Sequence, residues 1–308
     1  MGGTRRLATV SPVTTANQDR WARWLLCRRD AGDAGVRESG ASLLAGYRDG
    51  VLDRAAVADG DVLLDVGAGD GLIGLAALDR MGPDGRVIFS DISADLLAEC
   101  RRRAEATGAL NRCRFVRAGA EDLGEIPDRT VDVVTTRSVL IYVERKQAAF
   151  AEFFRTLRPG GRLSVFEPIN GFAAADPNRS LFGLDLAPVA DLAAKLVSAY
   201  AGVPPEQDPM LNFDERDLLR WAAAAGFTAL ELDYRAEVGV PEPLPTTDWD
   251  VLKRTAPNPL APTYEEALAQ TLTRQERDRF EDHLRAILAA GTPAHTTFAT
   301  AYLRGIRP

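Results

Sequence analysis

The stretch that most constrains this chain runs from Val62 to Gly71, VLLDVGAGDG. Val62, Leu63 and Leu64 form a short apolar run between polar Asp61 and a glycine cluster, the pattern of a buried strand. Asp65 ends it, and Gly67, Gly69 and Gly71 come after it. Glycine lets the backbone bend sharply and leaves no Cβ between the main chain and a ligand. Leu72–Met81 then reads as a helix, whose first turn offers free N–H groups. Residues 62–81 are therefore predicted to be a strand, a ligand-cradling loop and a helix.

Arg86–Ser90 reads as a second strand, and Asp91 comes next, about twenty residues beyond the glycines. A carboxylate there can accept both ribose hydroxyls of a nucleoside. Either a dinucleotide or S-adenosylmethionine would suit. Gly69–Gly74 matches the dinucleotide G-x-G-x-x-G pattern, a weak signal alone. Two features lean away from it. The Asp65 carboxylate would repel a pyrophosphate but suit an ammonium group. Counted from Gly67, the third glycine position holds Leu72.

At this point the residues resemble a known family. VLLDVGAGDG looks like motif I of the class I S-adenosylmethionine-dependent methyltransferases, and Asp91 in FSDIS resembles their ribose-binding acid. Phe115–Leu123 is similar to the third strand and adenine-binding turn, and Val131–Val143 to the fourth strand and its loop. Leu157–Pro168 resembles the turn and fifth strand. The resemblance covers residues 60–170, with a weaker echo at 212–235.

The formal charge is −7, and lysine is confined to Lys146, Lys195 and Lys253. That balance disfavours a nucleic-acid partner, which needs clustered cations. Cys27, Cys100 and Cys113 are far apart, so neither a disulfide framework nor a structural metal site is expected. No apolar run reaches the length of a membrane span, and MGGTRRLATVSP lacks a signal-peptide core. The expectation is a cytoplasmic protein with a small-molecule substrate, no nucleic acid, no membrane and no metal. The oligomeric state stays open.

The expected fold is α/β: a doubly wound, mostly parallel seven-stranded sheet, last strand antiparallel, with a helical N-terminal segment and helical cap insertions. Strands are predicted at 62–66, 86–90, 113–117, 131–136, 162–167, 227–238 and 296–306. Helices are predicted at 17–29, 40–57, 71–81, 94–107, 144–157, 189–200, 214–225, 264–271 and 273–290. Residues 1–58 form the N-terminal segment, with a loose arm over 1–16. Residues 59–169 form the cofactor-binding core, resumed at 212–239 and 293–308. Residues 170–211 and 240–292 read as two pieces of a substrate cap, with an oligomer contact or brace as the alternative. The second holds about fifty residues where the family has a short link, and long structured insertions are usually functional. Trp21, Trp24, Leu25 and Arg28 have helical spacing, for a core-packed helix that can also roof the cofactor.

Ligands on such sheets sit at the carboxyl ends of the strands, where these motifs fall. The resemblance implies S-adenosylmethionine as cofactor. Asp65, Gly67, Ala68, Gly69 and Gly71 would hold its methionine part and Asp91 its ribose. Ile92, Ala120 and Glu121 would meet the adenine, and Thr136 belongs to the cofactor site at the end of the fourth strand, where the methyl group would lie. Methyl transfer from a sulfonium is an in-line displacement, so alignment and exclusion of water are the main demands. Arg137, at a strand's carboxyl end, is a candidate clamp for an anionic substrate or the cofactor carboxylate, the alternative being a surface ion pair. Tyr142 is a candidate site residue or core filling. Glu167 closes an apolar strand, where desolvation raises a carboxylate's pKa and suits a proton acceptor. The alternative is a helix cap or an arginine partner. Related carbon-methylating enzymes use a glutamate after this strand. His283 and His295 read as structural.

The first functional reading is methylation of a small organic molecule, a specialised metabolite being one candidate. One sub-reading is a carbon acceptor such as an isoprenoid diphosphate, with Arg137 or Arg179 at the diphosphate. The competing readings are a non-catalytic cofactor-binding scaffold or regulator, a protein or RNA methyltransferase, and a nicotinamide-dependent oxidoreductase.

Overall fold

The structure, a computed structural model, describes residues 18–176, 180–200 and 202–308. The expected arm at 1–16 and Arg179 lie outside the described residues. Seven strands form one sheet: β1 Val62–Val66, β2 Arg86–Asp91, β3 Cys113–Arg117, β4 Val131–Arg137, β5 Leu157–Pro168, β6 Thr228–Glu242 and β7 Ala294–Ile306. Their order is β3-β2-β1-β4-β5-β7-β6. The pairs β3–β2, β2–β1, β1–β4 and β4–β5 are parallel, and β7 runs antiparallel to both β5 and β6. The order reverses between β1 and β4, which puts the switch point beside the glycine loop.

Helices cover both faces. On one face α2 Ala34–Ala55, α3 Leu72–Arg80 and α4 Ala94–Ala106 bury Val51, Leu52, Ile73 and Leu97 with Leu63, Phe89, Val133 and Phe166. On the other, α5 Lys146–Thr156 and α8 Glu215–Ala225 bury Phe150, Phe153, Leu218 and Trp221 with Leu64, Val134 and Val165. A sheet buried on both faces needs near-continuous apolar strands, which explains the run of buried residues through β1. Asp214 caps α8 through a capping box with Asp217, and Gly226 ends it with φ 105°.

The boundaries differ from expectation where local chemistry outweighs periodicity. The helix expected at 17–29 is α1 Arg20–Arg23 continued by a π-helical turn, Trp24–Arg28. The helix expected from 40 begins at Ala34, because Asp33 accepts the Val36 amide as its N-cap. The strand β6 runs on to Glu242, carried by its antiparallel pairing with β7 past an irregularity near Gly239.

The two insertions share one apolar cluster. It joins Leu184, Leu192 and Leu196 of the first with Trp249, Leu268, Phe280 and Leu284 of the second. The contributing helices are α7 Ala190–Ser198, α9 Trp249–Leu252, α10 Tyr264–Thr271 and α11 Arg274–Ala289. The short α6 Asn170–Ala174 leads from β5 into the first insertion. Lys146 ties that insertion to the core. Its ammonium is buried and donates to the carbonyls of Val143 (2.9 Å) and Pro209 (2.9 Å) and to Asn212 Oδ1 (3.1 Å). It also lies 4.8 Å from the Phe213 ring.

Candidate active site

The strand β1 delivers Asp65 to the switch point, but its carboxylate turns under the loop. Asp65 is 1% exposed and accepts from the Gly74 amide (2.9 Å) and the Thr135 hydroxyl (3.1 Å). Burial pushes its pKa up to about 7 against those hydrogen bonds. The loop needs glycine at three places, the third being Gly71, with φ 90° and a Cβ position 2.8 Å from Cys100 Sγ. Gly67 has φ 65°, and a Cβ there would stand 2.2 Å from Val139 Cγ2. Gly69 has φ 57°, and a Cβ there would meet Leu25 of the N-terminal segment at 3.1 Å. The Ala68 amide donates to the Ser90 carbonyl (3.0 Å) and the Gly71 amide to the Ala68 carbonyl (2.9 Å), which fixes the bend before α3.

Asp91 ends β2 beside that bend. Its Oδ2 accepts the Gly69 amide and its Oδ1 the Ser93 amide, each at 2.9 Å. A carboxylate offers about four lone-pair sites, so acceptor capacity remains for a ribose hydroxyl. Burial raises the Asp91 pKa. Ile92 is 46% exposed next to it, an apolar face open to a base. Ala120 is buried in the turn closed by the Gly119–Asp122 bridge. Glu121 leaves that turn to accept the Arg145 amide (2.6 Å). The Thr136 hydroxyl is buried without a hydrogen-bond partner. An acid with spare acceptor capacity, an exposed apolar neighbour and an orphaned hydroxyl near a glycine bend on which Val139 and Leu25 rest fit a nucleoside with a charged tail.

Beyond the bend, Ser138 adopts φ 55° and its amide holds the Phe166 carbonyl (2.9 Å), a left-handed turn that lays Val139 on Gly67. Glu167, fully buried, anchors Val139, Leu140 and Ile141. Its Oε1 accepts from the amides of Val139 and Leu140, both at 2.9 Å, and its Oε2 from Ile141 at 3.3 Å. These amides open the short helical turn Leu140–Tyr142, so Glu167 caps it. Burial raises the Glu167 pKa to about 7. Tyr142 emerges from that turn and meets Trp21 edge-on at 5.1 Å. Arg137 makes no ion pair among the described residues; its one hydrogen bond is a 3.4 Å contact to Ser138 Oγ.

Sequence reasoning missed how the N-terminal segment docks. Asp19 caps α1, and its Oδ2 accepts the Ser93 hydroxyl (2.7 Å), two residues from Asp91. Its amide donates to Asp95 (2.8 Å). Trp24 Nε1 donates to the Ala256 carbonyl (2.9 Å), and Arg28 forms a two-pronged pair with Glu266. The segment thus joins the glycine loop to the second insertion. An N-cap aspartate before an aromatic run was the available signal. His283 and His295 contact the backbone carbonyls of Asp185 (3.0 Å) and Gly239 (3.2 Å).

A family model described as a methyltransferase domain matches residues 63–161. An arsenite methyltransferase of Halobacterium salinarum is 32% identical over 117 residues, 37% of this chain and 29% of the relative. A ubiquinone/menaquinone biosynthesis C-methyltransferase of Salmonella arizonae is 34% identical over 116 residues, 38% of this chain and 46% of the relative. The chain thus spans less than half the length of these curated relatives. The geranyl diphosphate C-methyltransferase of Streptomyces coelicolor A3(2) shares the fold, with a TM-score of 0.51 and 18% identity over 91% of this chain and 84% of that one.

Proposed function

We propose that this protein, whose residues 63–161 match a methyltransferase-domain family, uses S-adenosylmethionine to methylate a small organic molecule held beside Arg137 and Glu167. One observation carries this reading: the Asp91 carboxylate ends β2 against the Gly69 amide of the glycine bend, beneath an N-terminal segment bonded to Ser93 and to the second insertion. The quinone-pathway and arsenite relatives act on small acceptors, which supports the substrate class.

Asp91 would take the ribose hydroxyls, Ile92 and Ala120 the faces of the base and the loop amides the methionine end, with Thr136 near the methyl group at the end of β4; Glu121 would reach the base only by leaving the Arg145 amide. Asp65 acts through the loop, since its oxygens are engaged by Gly74 and Thr135. When bound, the cofactor supplies a methyl group on a positively charged sulfur. The chain's own work is alignment and exclusion of water. Leu25 over Gly69 and Trp21 against Tyr142 would shield the methyl-transfer end of the site from solvent. Glu167 fixes Val139–Ile141 and with them Tyr142.

A second reading has Glu167 as general base, favoured by its pKa near 7. It would receive the proton at Oε2, the oxygen with the single, longer amide contact. A carbon acceptor such as an isoprenoid diphosphate would need that base. The test incubates the protein with methyl-tritiated S-adenosylmethionine and a metabolite extract. Label is expected in the dialysable products. Label in precipitated protein or RNA would replace the small-molecule reading, and S-adenosylhomocysteine binding with no transfer to any fraction would favour a scaffold.

A further inference from the structure

Several arginines near the core of this protein are paired with carboxylates, and others, such as Arg307, are held by backbone carbonyls. Arg28 holds Glu266, Arg103 holds Glu99 and Asp70, and Arg162 holds Asp61. Arg137 departs from that habit. It sits on a row across three strands, next to Phe166 on β5 and, beyond it, Tyr302 on β7. Tyr47 of α2 lies over Phe166 at 4.4 Å. The partly buried Arg137 therefore shares a sheet row with aromatic residues and has no carboxylate at salt-bridge distance among the described residues. The acids that do act on it are engaged elsewhere: Asp70 with Arg103, Glu167 with three amides, Asp65 with Gly74 and Thr135. A desolvated cation without a counter-charge is costly.

A second positive charge makes this worse. Arg29 succeeds the π-helical turn that presses Leu25 on Gly69, and it too has no hydrogen-bond or ion-pair partner for its side chain among the described residues. Burial first, then the charge of Arg29, holds the Arg137 pKa below its ordinary value. Arg137 follows Thr136, which pairs with Val66 just before the glycine loop, and Arg29 follows the turn that lays Leu25 on that loop, so both unpaired arginines stand at the same end of the sheet, where an oxyanion could take two charge-assisted contacts.

We propose that Arg137 and Arg29 together seat an oxyanion carried by the methyl acceptor, so that acceptor binding and closure of the N-terminal segment are one event. This rests on the methyl-transfer reading above. The anion turns a repulsion between segment and sheet into two charge-assisted contacts. Leu43, one helical turn before Tyr47 on α2, is 52% exposed and offers an apolar wall. The acceptor class is thus an amphiphile: a carboxylate or phosphate at one end and an apolar body.

The test titrates inorganic phosphate, then acetate, onto the S-adenosylhomocysteine-loaded protein. Phosphate or acetate should bind the wild type, and Arg137→Met and Arg29→Gln should each weaken it at least about tenfold. Arg137→Met should also raise Tm in anion-free buffer, which a merely structural arginine would not allow. No anion binding to the loaded wild type, or a lowered Tm in Arg137→Met, overturns the proposal. So does a tenfold loss of S-adenosylhomocysteine affinity in Arg137→Met with methylthioadenosine affinity unchanged, since the anion would then be the cofactor's carboxylate. Wild-type affinity for S-adenosylhomocysteine tests the cofactor reading separately.

Discussion

Glu167→Gln separates the two roles of the glutamate. The pKa of Glu167 rises from 4.5 to about 7 on folding, with burial as the largest cause. A raised carboxyl pKa means that the folded state holds the proton more tightly. The resulting stabilisation is complete below the unfolded value and is lost as pH rises through the folded one. Between about pH 5.5 and 8.5 this one group changes stability by about 2 kcal/mol, favouring acid. Glutamine does not titrate, so the wild type should gain about 2 kcal/mol on the variant as pH falls across that window. The difference also cancels Asp65, which shifts in the same direction. The glutamine oxygen can keep the Val139 and Leu140 amides, but its NH₂ would face the Ile141 amide. That mismatch should cost about 1–3 kcal/mol at every pH. Urea unfolding of both proteins across the pH range measures this. A difference that does not vary with pH would refute the buried-carboxylate reasoning. As an anchor, Glu167→Gln should retain a measurable fraction of turnover; as a general base it should lose turnover with cofactor binding intact.

Gly67→Ala places a methyl group 2.2 Å from Val139 Cγ2 at φ 65°. It should cost roughly 2–5 kcal/mol, and adding Val139→Ala should recover the packing part and leave about 1–2 kcal/mol of backbone strain, read by a double-mutant cycle in urea. Lys146→Met strands the Val143 and Pro209 carbonyls and Asn212 Oδ1. It should destabilise by about 2–4 kcal/mol and speed hydrogen exchange in the first insertion, while residues 62–91 keep their protection.

Much of the sheet was legible because its strands are short apolar runs punctuated by glycine and acid, as at Val62–Asp65 and Arg86–Asp91. Helix α8 was legible to the residue, since Asp214 and Gly226 are chemically explicit stops. Contacts across long sequence separations were not. Nothing local announces that Asp19 meets Ser93, or that Trp24 and Arg28 reach Ala256 and Glu266. The candidate site was legible as a set of strand-end residues, but not in the direction of its side chains. Asp65 and Glu167 both read as facing the ligand, yet both oxygens of each are held by the chain itself, because a buried carboxylate is satisfied by the nearest free donors. Arg137 could not be separated from a surface ion pair by sequence, since the absence of a partner is a three-dimensional fact.

The central claim is that the bend at Gly67–Gly71 and the Asp91 carboxylate hold the nucleoside of S-adenosylmethionine. Calorimetric titration of S-adenosylhomocysteine onto wild type and Asp91→Ala tests it most directly. The wild type should bind and should ignore NADH. The variant, without the carboxylate that also takes the Gly69 amide, should lose affinity by about a hundredfold. Undiminished affinity in Asp91→Ala, or NADH binding in place of S-adenosylhomocysteine, would contradict the account.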